Sequence, residues 1–167
     1  VKPELRNNIY GHKLLMKFKE IALSRNLKRT YGVFEPLEAN LARLYIGMNS
    51  FVGIQYIIDE LPNPNVTLSS DKILIKWDFI SDSYGINNYN NKLDLIDTLG
   101  RYPVATKDYM PDNEKILVEI PDNFNLLKTE NIEKAIGWRK QTRKIFTHYL
   151  NNKNYIIASC LTGRINK

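Results

Sequence analysis

Residues Asp71–Ile80 read DKILIKWDFI, and their alternation decides the class of fold. Ile73, Ile75, Trp77 and Phe79 fall on one side of an extended chain, with Leu74, Lys76 and Asp78 on the other. A strand with one apolar face is predicted. Further strands are predicted at Lys28–Phe34, closed by Pro36, at Phe51–Ile58, at Lys115–Ile120, stopped by Pro121, and at Tyr155–Leu161. Helical periodicity separates them. Leu14, Phe18, Ile21 and Ala22 make one apolar stripe over Tyr10–Ser24, with Asn26 as a left-handed stop. Pro36 opens a second helix through Leu37, Leu41, Leu44 and Tyr45, ending near Met48. The longest helix is predicted from about Glu130 to Leu150, burying Ile132, Ala135, Ile136, Trp138, Thr142, Ile145, Phe146 and Tyr149. Pro62-Asn63-Pro64 forces a turn. Ser81–Asp112 reads as a surface excursion with a short helix near Lys92–Leu99. Alternating helices and strands predict an α/β (α+β) protein, a mixed sheet flanked by helices.

The chain has 167 residues, 43% hydrophobic and 25% charged, which suits one domain with a single core. It contains no apolar run of the roughly 18 residues that a membrane-spanning helix needs, so no membrane partner is expected. The lone Cys160 excludes an internal disulfide framework and a cysteine zinc cluster, and it reads as a buried structural thiol. His12 and His148 leave little for a histidine metal site, so no metal is expected. A reducing, cytoplasmic setting fits this usage. The net charge of +6 favours anionic partners, among them a phosphate-bearing cofactor or nucleic acid. The clusters Lys13/Lys17/Lys19, Lys28/Arg29 and Arg139/Lys140/Arg143/Lys144 stand at helical spacing and read as solvated faces. The chain opens at Val1 without methionine and closes soon after Gly163-Arg164, so it reads as part of a longer protein.

The chemistry concentrates in Val1–Leu15, VKPELRNNIYGHKLL. A proline-containing turn, an arginine and a glycine lead into an amphipathic helix. Free backbone N–H groups at the helix start and the positive end of its dipole suit a pyrophosphate. Arg6 adds a charge-assisted donor, and Gly11 allows close backbone approach. Gly11 is expected on an exposed loop, where substitution would leave stability unchanged.

This stretch resembles the acetyl-CoA loop of the GNAT N-acetyltransferase superfamily, which has an Arg/Gln-x-x-Gly-x-Gly/Ala pattern. Arg6 and Gly11 match its first and last positions, and Ile9 stands where the family has its middle glycine. Gly32 to Asn40 is similar to the fifth strand and fourth helix of a bacterial and archaeal branch of that superfamily. Asp71–Trp77 resembles its next strand block. Ile116–Phe124 with Trp138-Arg139 and Thr142-Arg143 resembles its C-terminal strand and helix. The resemblance implies one GNAT-like domain over 1–167, lacking its first four strands and first two helices. Residues 1–59 would be the cofactor-binding half, and 71–165 the C-terminal strands and long helix.

The resemblance further implies acetyl-CoA as cosubstrate, with a small-molecule or peptide amine as acceptor. Val1, Arg6, Asn7, Asn8, Tyr10, Gly11 and His12 would line the phosphates, and Asn40 the pantetheine arm. Tyr45 would protonate the departing thiolate. Its interval to Asn49-Ser50-Phe51, which stands where the family has Leu-Gly-Phe, is one residue off. Each residue also has a plainer reading: Tyr45 as core packing, Asn40 and His12 as exposed helix residues, Tyr10 as a staple at the helix start, and His148 as a C-terminal cap. Glu35 and Glu38 could face the acceptor amine, and no general base is assigned. Nucleic acid is not favoured as a partner, and a homodimer is left open. The alternative is a non-catalytic GNAT-like module that binds nucleic acid or protein.

Overall fold

The computed structural model describes residues 10–47, 51–59, 68–80 and 100–161. Helix α1 (Tyr10–Ser24) leads into strand β1 (Arg29–Phe34). A short α2 (Ala39–Ala42) widens into a π-helical turn over Arg43–Gly47. Strands β2 (Val52–Ile57) and β3 (Lys72–Asp78) follow, then two-residue strands β4 (Val104–Ala105) and β5 (Leu117–Val118). The chain continues through α3 (Phe124–Glu130) and α4 (Ile132–Phe146), which widens into a π-helical stretch over Thr147–Asn152. The protein is a mixed helix-and-sheet structure.

The strand read first from the sequence is the central one. β3 lies between β1 and β2 and runs antiparallel to both. Its alternation is real: Ile73, Ile75 and Trp77 are buried with Phe34, Tyr56, Phe51 and Phe79 in the main core. The predicted single mixed sheet is not found among the described residues. β4 and β5 form a separate parallel pair, since the chain there offers only two residues per strand.

The outer edge of β2 is closed by the chain itself. Asn151 uses its side-chain amide as a strand would use a peptide: its Oδ1 accepts from the Tyr56 N–H and its Nδ2 donates to the Tyr56 carbonyl, both at 2.9 Å. Gly53 and Ile157 exchange two backbone hydrogen bonds beside them. That single bridge is what stands at the predicted Tyr155–Leu161 strand. Lys115–Ile120 likewise contracts to β5.

Helix α1 spans the predicted residues and ends as predicted. Asn26 takes a left-handed φ of 58°, while the Leu27 N–H reaches the Ala22 carbonyl and the Asn26 N–H reaches that of Leu23. This is a Schellman ending with asparagine in the left-handed position. The buried face is not the predicted one. Leu14, Phe18 and Ile21 are 61%, 45% and 43% exposed, whereas Ala22 is buried. The packing stripe instead runs through Gly11, Leu15, Lys19 and Ala22. Two small residues let the helix sit close, and the Lys19 ammonium lies 5.5 Å from the Trp77 ring centre.

Two helix boundaries also moved. Pro36 does not open α2; it occupies the second position of a turn in which the Glu38 N–H donates to the Glu35 carbonyl. The long helix stands where it is predicted, with its start moved from Glu130 to Ile132: Asn131 (φ −152°, ψ 85°) accepts from the Lys134 N–H with its side chain, caps α4 and separates it from α3, a helix the sequence reading does not include. Asn123 caps α3 in the same way, through the Leu126 N–H. Ile132, predicted buried, is exposed just beyond the Asn131 cap. The predicted Pro62–Pro64 turn and the helix near Lys92–Leu99 lie outside the described residues.

At Gly53 an added Cβ would stand 3.0 Å from both Cβ and Cδ1 of Ile157. Gly53→Ala is expected to lower stability by about 1–3 kcal/mol through overpacking, read as a lower urea midpoint. Gly32→Ala, whose Cβ would meet Ile75 at 3.6 Å, should be tolerated better.

Candidate functional site

α1 is described from Tyr10, and its first described turn contains no acidic residue. Tyr10 is exposed, while Gly11 and His12 are half-buried. Val1, Arg6, Asn7, Asn8 and Ile9 lie outside the described residues. Gly11 sits inside the helix and faces Leu44: a Cβ there would stand 3.2 Å from both Leu44 methyl carbons. The glycine is therefore explained by helix packing, and the expectation of an exposed loop position is corrected.

Leu44 belongs to the π-helical turn that also carries Tyr45. Such a turn holds one residue more than an α-helical one; Met48, Asn49 and Ser50 lie outside the described residues. The Tyr45 ring lies between Phe34 (5.9 Å) and Phe51 (5.3 Å), and Phe51 continues to Trp77 at 4.6 Å. Asn40 is exposed, about one turn before Leu44. The fold thus brings the first turn of α1 against the segment bearing Tyr45.

Two arginines of α4 reach into the end of the sheet from which β1 and β2 exit. Arg139, 2% exposed, donates from Nη2 to Glu35 Oε1 at 2.6 Å, just past β1. The same oxygen accepts from the Leu37 N–H at 3.3 Å. Arg143 grips Asp71, just before β3, with two donors: Nε to Oδ2 at 2.8 Å and Nη2 to Oδ1 at 2.7 Å. Tyr56 donates its hydroxyl to Asp71 Oδ2 at 2.6 Å, and the Asp59 N–H donates to Oδ1 at 3.0 Å. The reading of Arg139 and Arg143 as a solvated face is overturned. Glu35 faces Arg139.

These contacts set the ionisation of the cluster. Burial, the largest influence on Asp71, pushes its carboxyl up, but hydrogen bonds from Arg143, Tyr56 and the Asp59 N–H together hold it below the ordinary 3.8. Burial, then the hydrogen bond to Asp71 and its charge, push the Tyr56 hydroxyl well above its ordinary 10.0. Tyr56 is thus a donor and no base. Burial likewise raises the Cys160 thiol, which is half-buried against the main core.

Beside Tyr56, an open cleft of about 660 Å³ is lined by Gln55, Asp59, Ser70 and Asn151. Asp59 there accepts from the Ser70 N–H at 2.9 Å. The Ser70 hydroxyl accepts from Lys72 Nζ at 2.8 Å. Among the described residues no group of three or more His, Cys, Asp or Glu could hold a metal, and no helix is long and apolar enough to cross a membrane. No protein-family model, curated protein or solved structure matches the chain.

Sequence reasoning missed Tyr56, Asp71, Arg139 and Arg143 as a unit. The available signal was that Arg139 falls on the stripe Ala135, Thr142, Phe146.

Asp71 is ionised in the fold below its ordinary range, so its contribution is present above that range and lost as pH falls through the lowered value. Urea midpoints are expected to fall below about pH 4, and Asp71→Asn should flatten that fall. At neutral pH Asp71→Asn should cost about 3 kcal/mol, the low end for a broken buried pair, because Arg143 is partly exposed.

Proposed function

We propose that the chain is an acetyl-CoA-dependent N-acyltransferase of the GNAT type, acting on a primary amine. The observation that carries the reading is the start of α1. α1 is described from Tyr10, four residues after Arg6 in the sequence, and its first described turn contains no carboxylate to neutralise the positive end of a helix dipole. That is the setting a pyrophosphate needs. The order of helix, strand β1 and helix α2 is also the order that the resemblance implies.

In this reading Arg6 and the first N–H groups of α1 hold the pyrophosphate, and Asn40 meets the pantetheine arm. The amine nitrogen attacks the thioester carbonyl, a C–N bond forms and the C–S bond breaks. Tyr45 gives its proton to the thiolate and recovers one from water, while the amine nitrogen releases its surplus proton to water. Positioning and charge neutralisation supply most of the acceleration. The packing of Tyr45 against Phe34 and Phe51 would fix where its ring sits.

Calorimetry with acetyl-CoA tests the proposal. The chain should bind, and Arg6→Ala should weaken binding by about ten- to a hundredfold, the value of one charge-assisted hydrogen bond. Lys17→Ala, whose partner is the exposed Glu20, should leave affinity intact. Gly11→Val is now expected to lower the melting temperature, because its side chain would strike Leu44. No heat from the folded wild-type chain would overturn the acyltransferase reading.

A further inference from the structure

The apolar stripe of α1 is the face that the fold leaves open. Leu14, Phe18 and Ile21 stay exposed along it, while Gly11, Leu15 and Ala22 make the contacts of the helix with its neighbours. Phe79 meets the Phe18 ring edge-on at 6.2 Å, and the next residue, Ile80, is more than half exposed, as is Leu27 just past the helix. Positive charge concentrates on the same element. Residues 10–29 carry Lys13, Lys17, Lys19, Arg25, Lys28 and Arg29 against the single carboxylate of Glu20, which is five of the net six positive charges of the chain. Three of these cations are engaged: Lys17 with Glu20, Arg29 with Asp78, and Lys19 over the Trp77 ring. Lys13, Arg25 and Lys28 are exposed and have no acidic partner among the described residues. At about 3.6 residues per turn, Lys13 and Lys17 border the stripe along its length. Arg25 and Lys28 follow at its C-terminal end.

We propose that this face of α1 lies on an anionic phospholipid surface. Leu14, Phe18 and Ile21 enter the boundary between headgroups and acyl chains, and Lys13, Arg25 and Lys28 meet the anionic headgroups. Aliphatic side chains and unpaired cations stand on one helix, and a bilayer surface satisfies both kinds together. A second copy of the chain would set the same uncompensated cations against themselves. A nucleic acid would take the cations, but Leu14 and Ile21 offer its bases no flat ring to stack on. The contact is peripheral, since no helix among the described residues is long and apolar enough to cross a membrane. It does not depend on acetyl-CoA binding.

Co-sedimentation of the intact chain with vesicles at physiological ionic strength tests this. The chain should pellet with vesicles of phosphatidylcholine and phosphatidylserine, and hardly at all with phosphatidylcholine alone. Lys13→Gln combined with Lys28→Gln should weaken binding by about fivefold for each cation removed. Leu14→Gln combined with Ile21→Gln keeps every charge and touches no residue of the core. That pair should weaken binding by about tenfold or more, with an unchanged far-ultraviolet circular dichroism spectrum. A folded wild-type chain that stays in the supernatant, or that pellets equally with neutral vesicles, would overturn the proposal. So would vesicle binding left unchanged by the Leu14 and Ile21 substitutions, or duplex DNA bound more tightly than the anionic vesicles, because the face would then act through charge alone.

Discussion

Two arginines on one helix, each closed on a carboxylate at a strand end, hold this structure in register. Arg143 spans Asp71 bidentately at the start of β3, and Arg139 meets Glu35 at the end of β1. Arg139, Glu35 and Asp71 largely leave water to make these contacts and Arg143 does so in part, so each buried charge is stable only because its partner is present. Arg139 is the costlier member. Among the described residues its Nε and Nη1 have no hydrogen-bond partner, and the Phe124 ring, 5.3 Å from the guanidinium carbon, offsets part of that loss. The pairs contribute specificity of arrangement. A slip of α4 by one residue would carry both arginines away from both acids at once.

The candidate site depends on that lock through a short mechanical chain. Glu35 Oε1 accepts from Arg139 and from the Leu37 N–H, so the carboxylate that pins α4 also shapes the turn before α2. α2 then delivers Leu44 against Gly11, and thereby sets the first turn of α1 beside the segment holding Tyr45. The aromatic run Phe34, Tyr45, Phe51, Trp77 fixes the same region from the core side.

Much of this was legible in the sequence where one physical rule acted alone. The strict alternation of Ile73, Ile75 and Trp77 marked the central strand, and Asn26 marked the end of α1, because backbone preference decided both. Legibility failed where a small or charged residue replaced an apolar one on the packing stripe. Leu14, Phe18 and Ile21 look like the buried face of α1, but Gly11 and Ala22 bring the helix closest to its neighbours. Arg139 looks solvated until Glu35, 104 positions away, is seen to neutralise it. The seven residues of α3 are too short for apolar periodicity to mark a helix, and its Asn123 cap is the signal that periodicity does not register. The phosphate-binding character of Arg6 and its neighbours was read from residue types alone, and Gly11 in that reading turned out to have a packing role.

Backbone amide chemical shifts of the chain, followed while acetyl-CoA is added, test the central claim most directly. The account predicts saturable shifts at Tyr10, Gly11, His12, Asn40 and Tyr45, with those of Asp59, Ser70 and Asn151 unmoved. Shifts confined to the Asp59–Ser70–Asn151 cleft, or none at saturating ligand, would contradict it.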